Sequence, residues 1–445
     1  MQASARNNVL LERSRAAVWH PCTQMKQHEE LPLVPIARAG GCWLYDFDGG
    51  RYLDAVSSWW VNLFGHGNAR INAALTQQLS CLEHVMLAGF THEPVIELSE
   101  RLSALTGGRL GHCFYASDGA SATEIALKMS FHYWRNSGEP QKTGFVSLKN
   151  SYHGETLGAL SVTDVALFKD TYAPLLRMSA QVPSPDARLA EPGESSRAYA
   201  QRCAQVLEAH LEAHHGTTAA LIVEPLVQGA TGMAMYDAEY LRLARALCDR
   251  YGVHLIADEI MTGFGRTGSF FAHEQANITP DFLCLSKGIT GGYLPLSAVM
   301  TTDDVYAAFY DDAVTRGFLH SHSYTGNALA CRAALATLDI FEQDDVIDAN
   351  RSNAQRYTEV LQPIAQHRLV RDFRRTGMIW AFEVASDDPH VSRRIYLEGL
   401  KRELLLRPIG RTVYFMPPYV ISDAEFGLLA DRAVQILDTL DGDAP

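Results

Sequence analysis

The chain has 445 residues, 47% hydrophobic and 20% charged, with a formal net charge of -13. That length supports a large core plus a second domain, and the acidity counts against non-specific nucleic-acid binding and against an anionic membrane surface. No run is apolar enough to span a bilayer, and the opening MQASARNNVLLERSRAAVW lacks a signal-peptide core, so a cytoplasmic protein is expected. In chain order, "GGCWLYDFDGGRYLDAVSS" carries hairpin chemistry around Asp48-Gly49-Gly50. It either joins a smaller domain or lies across a larger one. Ser121 to Asn136 has helical spacing, with Ile125, Ala126, Met129 and Tyr133 on one face. Gly144 to Leu148 is a short apolar run, and Gln181 to Arg197 reads as a surface loop. Ala219 to Val223 is strand-like, and Asp237 to Tyr251 is helical with Gly252 as its stop. Val253 to Ile260 and Phe282 to Leu285 are strand-like again. This alternation predicts an α/β fold with a mostly parallel central sheet, helices on both faces, and ligands at the carboxyl ends of the strands.

The pattern changes after about residue 335. A long helix is expected from roughly Asp344, followed by Gly377 to Val384, a helix near Val391 to Leu405, and the strand Thr412 to Met416. A last helix opens on the capping box Ser422-Asp-Ala-Glu425. The expected division is 1–70 as an N-terminal segment of the small domain, 71–335 as the large domain, and 336–445 as the small α+β domain.

Four segments carry chemistry. In "CLSKGITGGYLPLSAV", Lys287 follows the apolar run Phe282 to Leu285 and precedes Gly288. A lysine at the carboxyl end of a buried strand can lose its proton by desolvation and attack a carbonyl; taken alone, the motif reads more readily as a plain strand cap. In "VHLIADEIMTGFGRTG", Asp258 ends another apolar run, and a buried carboxylate there needs a cation. The protonated ring nitrogen of pyridoxal phosphate (PLP) is one such cation, and Arg266 is another. In "FYASDGASATEIALKM", a strand, Gly119 and a helix start offer free backbone N–H groups to a phosphate at Gly119 and Ala120. In "SYHGETLGALS", Tyr152 follows a strand and can stack on a flat ring, or be an ordinary loop tyrosine. There is no P-loop, no G-x-G-x-x-G after a strand, and no metal-ligand spacing among the eight scattered cysteines.

Together these segments resemble class III PLP-dependent aminotransferases, of fold type I, over nearly the whole chain. The ordered series is "YASDGASATEIALK", "YHGETLGALS", "EPLVQGATGM", "ADEIMTGFGRTG", "LSKGITGGYLPLSAV" and "HSHSYTGNALAC". The resemblance implies PLP as cofactor, attached to Lys287, with Asp258 at its ring nitrogen, Gly119 and Ala120 at its phosphate, and Tyr152 stacked on its ring. It also implies Glu224 near the site and Ser323 as a phosphate ligand donated across a homodimer interface. Within the class, "VWHPCTQM", "SSWWVNLFGHGN" and "RPIGRTVYFMPPY" resemble members that aminate 8-amino-7-oxononanoate in biotin synthesis. That implies a channel lined by Trp59 and Trp60, and Arg407 on the distant carboxylate. Cys22 stands where relatives often have tyrosine. "HSHSY" also resembles lysine-using members, so S-adenosylmethionine and lysine both stay open as donor. Rival readings are a general ω-amino-acid:pyruvate aminotransferase, a mutase of this fold, and a non-catalytic PLP-binding regulator.

Overall fold

The computed structural model describes residues 5–442. Residues 1–4 and 443–445, at the ends of the expected domain ranges, lie outside the described residues. The chain forms two compact units. One comprises the residues up to Ala69 with Ser352–Phe373 and the chain from Trp380 onward; the other comprises Arg70–Arg351 with Arg374–Ile379. The sequence reading put the passage between domains at 335/336. The helix Ala328–Gln343 runs through that point, and the boundary lies at 351/352.

The larger unit holds a seven-stranded sheet. Its spatial order is His112–Ala116, Ser297–Thr301, Phe282–Leu285, His254–Asp258, Thr218–Val223, Gly144–Leu148, Ala180–Val182. All neighbours pair in parallel except around Ser297–Thr301, which is antiparallel to both of its neighbours. Every residue of Thr218–Val223 and of His254–Asp258 is buried, which is why these strands read as continuous apolar runs rather than alternating ones. The helix Gly119–Asn136 starts where Asp118 accepts from the Ser121 N–H at 2.9 Å. Its buried face (Ala122, Ile125, Ala126, Met129) packs in one core with Ile222, Ile256, Phe282 and Val299. The helix Glu239–Tyr251 ends on Gly252 at φ 61°, the left-handed position that glycine adopts without penalty.

Several elements depart from the sequence reading. Ser297–Thr301 is a strand hidden behind a Gly-Pro segment that reads as loop. The helix expected from about Asp344 is Val346–Val360, but another that was not expected, Ala328–Gln343, precedes it, the two separated at Asp345 with φ 45°. The stretch Gln181 to Arg197 begins in the strand Ala180–Val182 and ends in the helix Ser196–His214, capped by Ser195. The helix expected to reach Leu405 stops at Lys401.

In the smaller unit, the chain after that helix forms a strand, Leu404–Leu405, parallel to Arg51–Asp54. This pairing completes a four-stranded sheet with Ile36–Gly40 and Trp43–Asp46. The hairpin joining Trp43–Asp46 to Arg51–Asp54 is held by Asp46 Oδ1, which accepts from the N–H groups of Asp48 and Gly50. The N-terminal hairpin therefore belongs to the smaller unit. The helix Asp423–Gly442 opens on the expected capping box: Glu425 Oε2 accepts from Ser422 N at 2.8 Å, and Ser422 Oγ from Glu425 N at 3.3 Å. Among the described residues no helix is long and apolar enough to cross a membrane.

Candidate active site

Parallel strands bring their carboxyl ends to one edge of the sheet, and the larger unit places its chemistry there. Asp258 is the last residue of its strand, in register with Cys284 of the neighbour that leads to Lys287. Glu224 directly follows Thr218–Val223 on the other side. Asp258 is 4% exposed, and its Oδ2 accepts from His153 Nδ1 at 2.7 Å. Its Oδ1 accepts from the Ile260 N–H at 3.1 Å. His153 is itself fixed from two sides: its N–H donates to Thr163 Oγ1 at 3.0 Å, and its carbonyl accepts from Thr123 Oγ1 at 2.9 Å. A buried carboxylate is thus met by an imidazole, which the sequence shows only as the neighbour of Tyr152. Adjacency to Tyr152 was the only signal, and nothing linear tells which strand's carboxylate it meets.

Glu224 is buried too. Its Oε1 accepts from the Tyr152 N–H and its Oε2 from the Gly229 N–H, each at 2.9 Å. Burial, the largest cause, pushes its pKa from 4.5 up to about 7; Asp258 adds to the rise, while His153 and the two backbone bonds oppose it. The Lys287 side chain is partly accessible, yet burial lowers the pKa of its amine, against the pull of Asp258 and Glu224. A lowered pKa favours the neutral amine, the form that attacks a carbonyl. Lys287 also sits at φ 46°, a left-handed backbone that is uncommon for a long side chain.

Tyr152 donates from its hydroxyl to Glu155 Oε1 at 2.9 Å, and its ring stands edge-on to Phe168 at 5.5 Å. The loop through Gly154 (φ 122°) presses against the start of the helix Gly119–Asn136. A Cβ at Gly154 would lie 2.6 Å from the Ala120 Cβ, and one at Gly119 would lie 2.9 Å from Ile260. That first turn leaves the Gly119 and Ala120 N–H groups without intrahelical acceptors. Ser323 is exposed in a turn, its carbonyl 2.9 Å from His84 Nε2.

The smaller unit holds Trp59, Trp60 and Arg407. Ser57, Ser58, Trp59 and Trp60 all have positive φ (51°, 47°, 72° and 73°), a single left-handed turn without glycine. Each such residue costs roughly 1–2 kcal/mol, so the turn persists only where neighbours hold it. Ser57 Oγ donates to the Met416 carbonyl and Ser58 Oγ to Asp54 Oδ2, each at 2.7 Å. Trp60 Nε1 donates to the Tyr414 hydroxyl at 3.0 Å. The adjacent tryptophans separate: Trp60 is 6% exposed and Trp59 40%. The Arg407 guanidinium lies 4.1 Å from the centre of the Trp59 ring. Among the described residues no carboxylate is paired with Arg407. A stacked guanidinium keeps its N–H edges open to a carboxylate.

A family model described as Aminotransferase class-III matches residues 24–437. The chain belongs to the class III aminotransferase family. This aminotransferase is 48% identical over 432 residues to the adenosylmethionine-8-amino-7-oxononanoate aminotransferase of Helicobacter pylori, covering 95% of this chain and 96% of that one. Its structure resembles that of the adenosylmethionine-8-amino-7-oxononanoate aminotransferase of Methanocaldococcus jannaschii, with a TM-score of 0.91 at 34% identity over 97% and 99% of the two chains. An amine transaminase from an uncultivated Pseudomonas species, solved in its PLP-bound form, gives 0.89 at 34% identity over 95% and 98%. The α/β fold of type I is thereby that of solved transaminases.

Proposed function

We propose that this aminotransferase moves an amino group onto 8-amino-7-oxononanoate, giving 7,8-diaminononanoate for biotin synthesis, with S-adenosylmethionine as donor and PLP as cofactor. The observation that carries the chemistry is the convergence of Lys287, Asp258, Glu224 and the Gly119–Ala120 helix start on the carboxyl edge of one mostly parallel sheet. What carries the substrate is the likeness to the Helicobacter pylori enzyme together with Arg407, which among the described residues has no carboxylate partner.

The residues fit PLP chemically. Asp258 is a buried carboxylate suited to a protonated ring nitrogen, and His153 holds it in place. His153 Nε2 is buried without a partner among the described residues, a polar atom left over on the same wall. Gly119 and Ala120 offer backbone N–H groups to a phosphate, Tyr152 offers a ring face, and Lys287 offers the attaching amine. When bound, PLP supplies an aldehyde and an electron-withdrawing ring. Lys287 Nζ, its pKa lowered by burial, moves the proton at the substrate's reacting carbon. Glu224 ties the Tyr152 backbone to that of Gly229 and so fixes the loop that carries Tyr152 and His153. Trp59 forms an apolar wall, with Trp60 anchoring the same turn from inside, and Arg407 takes the distant carboxylate.

The working form is a cytoplasmic homodimer in which Ser323 of one protomer reaches the phosphate held by the other. Exposed Met86, Phe90, Leu319 and Tyr324 supply apolar surface for a second copy to cover. The deciding experiment incubates the protein and PLP with 8-amino-7-oxononanoate and a panel of amines, and detects 7,8-diaminononanoate by mass. Product with S-adenosylmethionine is expected. Product with lysine alone changes the donor, and none with any amine overturns the reading.

A further inference from the structure

The left-handed turn Ser57–Trp60 has a buried acid behind it. Asp54 is fully buried, yet no lysine or arginine of the described residues pairs with it. Its carboxylate instead accepts from the Ser58 hydroxyl at 2.7 Å and the Val56 N–H at 3.2 Å, with His66 Nε2 at 3.4 Å. A carboxylate taken out of water this completely is costly, and its partners here are the turn, the residue before it and His66. The same strand binds the turn to the Arg407 segment. Asp54 pairs in register with Leu405, two residues before Arg407. The Met416 N–H donates to the Ala55 carbonyl at 2.8 Å, and Ser57 Oγ donates back to the Met416 carbonyl at 2.7 Å. Trp60 Nε1 reaches Tyr414, and Tyr414 lies close enough to Arg407 to feel its charge. One product of these constraints lies on the surface: the Trp59 ring, 40% exposed, against the Arg407 guanidinium. Backbone strain held by a buried charge, with a stacked and otherwise unpaired cation as its outcome, is the pattern of a binding site set in advance.

We propose that Asp54 and Ser58 are positioning residues for recognition of the acceptor's distant carboxylate. They hold the left-handed turn that sets Trp59 against Arg407, and so keep the guanidinium fork aimed outward before substrate arrives. This rests on the reading of Arg407 as the carboxylate anchor. Relaxing the turn removes the Trp59 platform and leaves a mobile arginine, so the loss falls on binding rather than on the chemical step.

Serine 58 permits a sharp test, because alanine and glycine separate the two parts of its role. Ser58→Ala removes the hydroxyl and keeps the left-handed penalty. Ser58→Gly removes both, since glycine accepts positive φ freely. In the holoenzyme, Ser58→Ala should raise KM for 8-amino-7-oxononanoate about tenfold, the loss of a bond to a charged group, with kcat within about twofold. Ser58→Gly should recover KM to within about threefold of wild type. Nonanoate, a carboxylate with no reacting ketone, should lose affinity in parallel when followed by tryptophan fluorescence. Asp54→Asn should resemble Ser58→Ala if it folds; the Ser58 pair carries the test if it does not. Arg407→Ala serves as the reference for the anchor. If it weakens acceptor and nonanoate while Ser58→Ala changes neither, the positioning role is overturned and the anchor stands. Equal losses in Ser58→Ala and Ser58→Gly would also overturn it, since strain would then play no part. If Arg407→Ala itself changes neither ligand, both the anchor and the positioning role fall.

Discussion

The carboxyl edge of the seven-stranded sheet and the turn at Ser57–Trp60 place candidate site residues by opposite means. At the sheet edge, regular parallel register delivers Asp258, Glu224 and Lys287 to one side, and burial raises the pKa of Glu224 and lowers that of Lys287. In the smaller unit no regular element aims Trp59; four left-handed residues do, and side-chain bonds from Ser57, Ser58 and Trp60 hold them. The first device is robust in geometry and exacting in charge. The second is exacting in backbone, because side-chain bonds must hold a left-handed turn. Substitutions should therefore act on chemistry in the first region and on binding in the second.

The widest separation comes from Lys287. Lys287→Ala should fold and lose turnover entirely, because the proposed chemistry needs its amine. Borohydride reduction of the wild type, followed by peptide mapping, should place the cofactor on the peptide containing Lys287; a label elsewhere would sink the assignment. Asp258→Asn comes next. The amide cannot pair with a protonated ring nitrogen, and the partner charge stays buried. A loss of about 3–5 kcal/mol follows, at least about a hundredfold in both half-reactions. Near-normal turnover would make Asp258 a purely structural partner of His153.

How much was legible in the sequence follows the same division. Continuous apolar runs leading into a charged residue place Asp258 and Lys287 at the carboxyl ends of buried strands, because a buried parallel strand has to read that way. The glycine before a helix marks Gly119 for the same kind of reason. Register between strands is a long-range property, so the meeting of His153 and Asp258, 105 positions apart, left no linear trace. The left-handed conformation of Ser57–Trp60 left none either. The usual signs of positive φ are glycine and asparagine, and "SSWW" contains neither. The strand Ser297–Thr301 was missed likewise, masked by neighbouring loop residues.

Glu224 tests the claim that burial governs charge at the sheet edge. Its pKa rises from 4.5 to about 7 on folding, worth roughly 3 kcal/mol between the fully protonated and fully ionised limits. The folded state thus holds a proton that the unfolded chain releases. This contribution to stability is complete below about pH 4.5 and is lost as pH rises through about 7. Glu224→Gln keeps a carbonyl acceptor for the Tyr152 N–H and does not titrate. Thermal unfolding of the cofactor-free proteins should show the variant gaining on wild type from pH 5 to 8, with no further gain above. Parallel profiles would mean that Glu224 stays ionised, and that local bonds rather than burial set its charge.

Arg407 gives the smallest and most selective effect, and it tests the other side of the comparison. Its guanidinium rests on Trp59 rather than in a buried ion pair. Removing it leaves no uncompensated charge in the protein, so folding and the chemistry at Lys287 should be untouched. What is lost is a charge-assisted, two-pronged contact to the acceptor's carboxylate, about 2 kcal/mol in a site only partly withdrawn from water. Arg407→Ala should then lower kcat/KM for 8-amino-7-oxononanoate about thirtyfold, expressed mainly in KM. Arg407→Lys should recover little, because an ammonium has neither the fork nor the flat face to stack. Following the cofactor's absorbance separates the two half-reactions. A loss confined to the acceptor half makes Arg407 a dedicated anchor. Equal losses in both halves would mean that the donor's carboxylate shares it. A fall in kcat with KM unchanged would contradict the division itself, because the smaller unit would then be acting on chemistry.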